Sequence, residues 1–174
     1  MSAETAPVTV EAAGSVARWQ DRWTSIGLLI LRLGIGGFLI THGWGKLQML
    51  LGGQFDQFGD PVGLGPAVSL VLITGAEFFC ALLVMLGLGT RFAAIPVVIG
   101  MGVAALVAHG SDPWTSGEGA RLFMSGQAQS WASKEPAMLF LIGFLGLAFT
   151  GAGRYSVDAL IGPRLKRRRG AAVR

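Results

Sequence analysis

The chain is short of charge. Asp, Glu, Lys and Arg together make up 14% of its 174 residues, where a soluble domain carries about 25%. A globule of this size would have too few charges to cover its surface. The same scarcity argues against a disordered, charge-rich chain. Cys80 is the single cysteine, which excludes an intrachain disulfide and a CxxC dithiol motif. There is no P-loop, no dinucleotide-binding fingerprint and no Ser-His-Asp pattern; the glycines lie inside apolar runs and turns. Met1 to Asp21 reads as polar and irregular, without the short apolar core and small-residue cleavage site of a secretory signal. The first hydrophobic segment is therefore expected to stay in the protein.

What is present is apolar. Hydrophobic residues are 52% of the chain and glycine adds 27 residues; mean hydropathy is +0.57. A transmembrane helix needs about 20 mostly apolar residues. Four segments meet or approach that length: 25–47, 66–88, 91–108 and 136–151. The runs are continuous and do not alternate with period two, so helices are favoured over barrel strands. The expected fold is all-α, a polytopic membrane four-helix bundle. Three parts follow: a polar segment 1–24, a membrane domain 25–160 and a basic tail 161–174.

The connections differ in kind. Gly87-Leu88-Gly89-Thr90 reads as a tight turn between antiparallel neighbours. Pro66 and Pro136 stand where helices begin, a position that tolerates proline. The longest connection, 110–135, holds Trp114, Phe123 and Trp131, residue types suited to the membrane interface. Of the 14 basic residues, seven fall within the last 21 positions. Arg18, Arg22, Arg91 and those seven lie on one side; Lys46, Arg121 and Lys134 lie on the other. The excess predicts that both termini face the cytoplasm. The basic tail beside apolar spans fits topology and lipid headgroups, and nucleic acid is not expected as a partner.

The charges inside the spans are few and costly, at about 2.5–3.5 kcal/mol each on insertion scales. The first span carries Arg32, His42 and Lys46. At 100° per residue, His42 lies about 80° and Lys46 about 40° from Arg32, so all three share a face. The second carries Glu77, with Thr74 and Cys80 at i−3 and i+3. At 1.5 Å per residue, His42 and His109 sit at matching outer depths, roughly 26 and 27 Å from the inner ends of their helices. An outward-opening cluster of His42, Lys46, His109 and Glu135 is expected above a deeper Glu77 and Arg32. Structural readings stand beside these. Arg32 also reads as snorkelling, Lys46 as facing headgroups, the histidines as helix caps, and Cys80 as packing. Glu77 is too central to snorkel and calls for an ion pair. Two histidines at one depth also suit haem ligation or, with Glu135, zinc; neither has a spacing motif, and no metal site is assigned.

Leu31-Arg32-Leu33-Gly34 followed by His42-Gly43-Trp44-Gly45-Lys46 resembles the opening of the DoxX family. The resemblance continues through Gly59-Asp60-Pro61-Val62-Gly63-Leu64, Ala76-Glu77-Phe78-Phe79, Gly87-Leu88-Gly89-Thr90-Arg91 and Gly153-Arg154-Tyr155-Ser156-Val157-Asp158. It implies a bacterial inner-membrane protein of four helices, tied to membrane redox chemistry, whose relatives include small subunits of thiosulfate:quinone oxidoreductases. It implies Arg32, His42, Lys46 and Glu77 as site positions, and Arg91, Arg154 and Asp158 as structural ones. One departure is Glu135 before Pro136, where the family sets an aromatic after the glutamate. The expected function is a subunit or accessory of a membrane redox system handling a quinone or related small redox substrate, with quinone as a possible cofactor ahead of haem. Glu77, Arg32 and His42 would form the reacting site, and His42, His109 and Lys46 would contact the bound molecule. A homo-oligomer or a redox partner subunit is expected with it. The alternatives are a small-molecule transporter and a structural assembly factor.

Overall fold

A computed structural model describes residues 10–162. The basic tail from Arg164 onward, and with it six of the ten basic residues expected on the cytoplasmic side, lies outside the described residues. Five helices matter here: α1 (Val10–Leu51), α2 (Pro66–Leu86), α3 (Thr90–Ala108), α4 (Ser116–Met124) and α5 (Glu135–Thr150). The described residues contain no strand.

Elementary signals set most of the boundaries. Pro66 opens α2 in its first turn, where its missing N–H is no loss. Gly87 closes α2 in the left-handed region, with φ +70°, and its place in the turn is also steric. A Cβ there would lie 2.2 Å from the Arg32 guanidinium. The first helix departs from expectation. It begins at Val10 rather than near Ser25, so the segment read as irregular is helical over more than half its length. No proline interrupts positions 8–51 and Ala12, Ala13 and Ala17 are strong helix formers. Polarity had masked a good helical composition.

α1, α2 and α3 are each long and apolar enough to cross a membrane. α5 is apolar but shorter, at 16 residues. The helices close a ring in which α1 packs on α2, α2 on α3, α3 most extensively on α5, and α5 on α1. The core between them is built from Leu39, Ala81, Val84, Ala94, Val97, Met101, Phe144 and Leu147. Polarity is inverted relative to a soluble protein. Arg32, Glu77, Thr74 and Thr90 are buried, while Phe38, Phe92, Ile99 and Phe149 are exposed on the perimeter.

Two helices carry π turns. Gly75–Cys80 is a π turn within α2, and Ala104–Ala108 is one at the end of α3. Such turns insert an extra residue into the helical count and are frequent at functional sites. The 100° spacing used to place Thr74 and Cys80 beside Glu77 does not hold across the first of them.

At the end of the ring holding Arg32, polar groups tie the chain together. Arg32 Nη1 donates to the carbonyls of Val84 (3.4 Å) and Met85 (3.2 Å), and Nη2 to that of Tyr155 (2.5 Å). These carbonyls belong to the last α2 turn and to the segment after α5; that of Val84 also accepts from the Gly87 N–H at 3.0 Å. Asp158 accepts from the backbone N–H groups of Gly89 (2.8 Å) and Thr90 (3.3 Å) at the start of α3. Its own N–H donates to the Gly87 carbonyl. Arg91 donates to the Thr150 carbonyl at the end of α5. Arg154 pairs with Asp21 at 3.0 Å on the surface, and its N–H donates to Ser25 Oγ.

Candidate functional site

The opposite end of the ring is open. From Arg32, α1 rises roughly 21 Å to Lys46. There the Lys46 ammonium pairs directly with Glu77 Oε2. The Glu77 side chain is 4% exposed and that of Lys46 25%. Among the described residues, Lys46 is the one hydrogen-bond partner of the carboxylate. The close approach has a backbone cause. A Cβ on Gly43 would lie 2.7 Å from the Glu77 carbonyl carbon, so glycine lets α1 rest on the π turn carrying Glu77. Lys46, one helical turn further on, is then within reach.

The pair borders a cavity of about 440 Å³ that also receives His42, Met101, Ala104 and His109. His42 packs edge-on against Phe140 of α5, with ring centroids 5.8 Å apart. His109 Nδ1 lies 2.7 Å from Asp112 Oδ2. With Nδ1–H donating to Asp112, Nε2 is the free ring nitrogen of the neutral imidazole.

The 110–135 connection roofs the cavity. Ser116, Trp131, Ala132 and Ser133 all line it. The roof is held by a bond from the Ser116 N–H to Glu135 Oε2 at 2.6 Å and by the Ser116 and Ser133 hydroxyls at 3.0 Å. Trp131 Nε1 donates to the Ser116 carbonyl at 3.1 Å. Gly119 sits where a Cβ would strike the Ala132 carbonyl. Lys134 lies over the Trp114 ring, 4.7 Å from its centroid. The connection therefore forms a packed cap with its own helix, α4.

The expected cluster is thus assembled with different partners. His42, Lys46 and His109 share one cavity with Glu77. Glu135 lies in an adjoining cavity and turns its carboxylate to the cap. Lys46 does not face headgroups but neutralises Glu77. Arg32 does not reach Glu77, because both of its Nη groups are bonded to backbone carbonyls at the other end of the ring. Trp131, expected at the membrane interface, instead lines the cavity. Asp112 and Phe140 carry no expectation from the sequence; Asp112 has a readable signal, three residues after His109 at a helix end, and Phe140 has none.

The DoxX family model matches residues 27–110, a stretch containing Arg32, His42, Lys46, Glu77 and His109. Inner membrane protein YqjF of Escherichia coli (strain K12) is 30% identical over 136 residues, covering 78% of this chain and 92% of that protein. The chain belongs to the DoxX family. It is accordingly a membrane protein, and the DoxX match covers the α1–α2–α3 frame on which the Lys46–Glu77 pair is built. The cap and α5 lie beyond that match. No solved structure matches the chain.

Proposed function

We propose that this DoxX protein binds the head group of a quinone in the Lys46–Glu77 cavity, as a subunit or accessory of a membrane redox system. The observation that carries the reading is a buried carboxylate with one basic partner, opening onto a cavity lined by two histidines. A buried ion pair is weak support for stability, because desolvation offsets its attraction. Intramembrane ionisable groups are functional by default. A quinone presents two carbonyl oxygens, for which the Lys46 ammonium and a His42 ring N–H are suitable donors. Conversion to the quinol takes up two electrons and two protons. Glu77 and His109 are placed to pass the protons, and the electrons are supplied by a redox partner subunit. Arg32 has no part in this chemistry.

The same reading orients the protein. Arg18, Arg22, Arg91 and Arg154 mark the closed end as cytoplasmic and, with the basic tail, set both termini there. Lys46, Arg121 and Lys134 lie toward the open end, so the cap faces outward from a bacterial inner membrane. α5 is then a fourth crossing. At roughly 24 Å it is shorter than a bilayer core of about 30 Å, and the membrane thins or the flanking chain completes the span. The membrane domain covers 25–160, with cytoplasmic segments at 1–24 and 161–174.

Protein in which Trp19, Trp23, Trp44 and Trp114 are replaced by Phe is reconstituted in nanodiscs and titrated with decylubiquinone while the fluorescence of the remaining Trp131, which lines the cavity, is followed. Saturable quenching is expected, and Glu77→Gln and His42→Ala each weaken it at least about tenfold. Absence of saturable binding to the wild type overturns the quinone reading. Proteoliposome flux abolished by Glu77→Gln, without quinone binding, replaces it with transport.

A further inference from the structure

A second cavity, about 360 Å³, lies between α1 and α5. It shares His42, Ser116, Pro136 and Phe140 with the first, so the edge-on contact of His42 with Phe140 lies where the two meet. Its remaining frame is Ile35 and Phe38 from α1 and Leu139 and Glu135 from α5, hydrocarbon apart from Glu135, whose carboxylate accepts from the Ser116 N–H of the cap. Phe38 is 71% exposed and Leu139 62%. In a membrane-spanning protein these residues face lipid. Below this cavity the two helices close up, because Gly143 of α5 admits Ile35 of α1 where a Cβ would lie 3.0 Å from Ile35 Cδ1. Above that contact they part. Polarity therefore grades from the Lys46–Glu77 pair, past His42 and Phe140, to side chains that touch acyl chains.

We propose that the α1–α5 gap is a lateral portal from the bilayer, holding the hydrocarbon tail of the molecule whose head group occupies the Lys46–Glu77 cavity. The substrate class is then a tailed, lipid-borne amphiphile, and the His42–Phe140 contact is the gate its head group passes. The proposal rests on the quinone reading for the head group alone. The portal is a property of the gap.

The physics provides a sharp test. A tail that stays among acyl chains and portal side chains changes environment little on binding. A molecule taken instead from water through the cap must withdraw its tail from lipid, at about 0.8 kcal/mol per CH₂, or roughly fourfold in affinity for each. Wild-type protein in nanodiscs is titrated with 2,3-dimethoxy-5-methyl-1,4-benzoquinone carrying no, one and two isoprene units. Affinities are expressed per mole fraction in the membrane. The portal predicts values within about threefold across the series, and a Leu139→Trp change that weakens the two-isoprene probe at least about tenfold more than the tailless one. A fall exceeding about a hundredfold per isoprene unit overturns the portal.

A second probe does not depend on the head group. A fatty acid with a mid-chain diazirine is photolysed in the same nanodiscs and its adducts are located by mass spectrometry. Labelling of His42 and Phe140 as well as Leu139 is expected. Labelling confined to perimeter residues such as Ile99 and Ile142 overturns the portal. Labelling of His42 and Phe140 by a protein that binds none of the three benzoquinones keeps the portal and removes the quinone reading.

Discussion

Arg32 and Glu77 are both buried charges within the apolar part of the chain, and they have opposite surroundings. Arg32 sits at a closed end, with three bonds to backbone carbonyls drawn from α2 and the segment after α5. Glu77 sits at an open end, with one side-chain partner and a cavity beside it. Partners made of backbone cannot leave without unfolding the chain. A lysine on a flexible stem can swing away and accept another partner. Burial of charge is common to both; the kind of partner separates a structural charge from a reactive one.

The largest effect is expected at the closed end. Arg32→Met removes the side-chain donor to three carbonyls, of which that of Val84 keeps the Gly87 N–H, and should cost about 3–5 kcal/mol or prevent folding, read as loss of monodisperse protein and a lowered Tm in detergent. Arg32→Lys should recover only part, since an ammonium lacks the planar fork. If Arg32→Met is stable and instead abolishes quinone binding, the contrast between the two ends fails.

At the open end, Lys46→Met strands the Glu77 carboxylate and should cost about 2–3 kcal/mol. The double variant Lys46→Met with Glu77→Gln should regain most of that stability but not binding. Equal losses in the single and double variants would show that the pair is not coupled. Gly43→Ala should cost about 1–3 kcal/mol, because its Cβ meets backbone that must move. The cavity should change shape with it, so binding falls further than stability alone explains.

The smallest effect concerns the first connection. Asp60 accepts from the N–H groups of Leu64 (3.0 Å) and Gly65 (2.8 Å) and from Ser69 Oγ (2.9 Å). The Gly65 N–H, above all, holds its carboxyl below the usual carboxylate range. Its folded-state value is depressed, so its stabilising contribution is present above the ordinary value near about 4. That contribution is lost as pH falls through the lower folded value. Protection of the Leu64 and Gly65 amides, measured against the intrinsic exchange rate at each pH, should fall below about pH 4, and Asp60→Asn should remove that fall. An unchanged profile in Asp60→Asn would assign it elsewhere.

Much of the helical frame is legible in the sequence. The ends of α2, α3 and α5 lie within two residues of the expected positions, because Pro66, Pro136 and the Gly87–Gly89 turn are local backbone signals. The expectation that His42 and His109 come together rests on rise per residue, and both line one cavity. The start of α1 was missed because polarity and helix propensity disagree across positions 10–24. Helix α4 was missed because the connection was read by residue type rather than by its Thr115 cap, whose hydroxyl accepts from the Glu118 N–H.

Scarcity of charge and long apolar runs are sums over the chain, and they alone made this a helical membrane protein with a handful of conspicuous buried charges. Choice of partner is different in kind. Helical spacing put Arg32, His42 and Lys46 on one face, but whether Arg32 or Lys46 met Glu77 depended on the relative height of two helices. That height follows from Gly43 seated on a π turn and from the Gly87 bend around Arg32. Those are contacts between residues distant in the chain, and no local pattern encodes them.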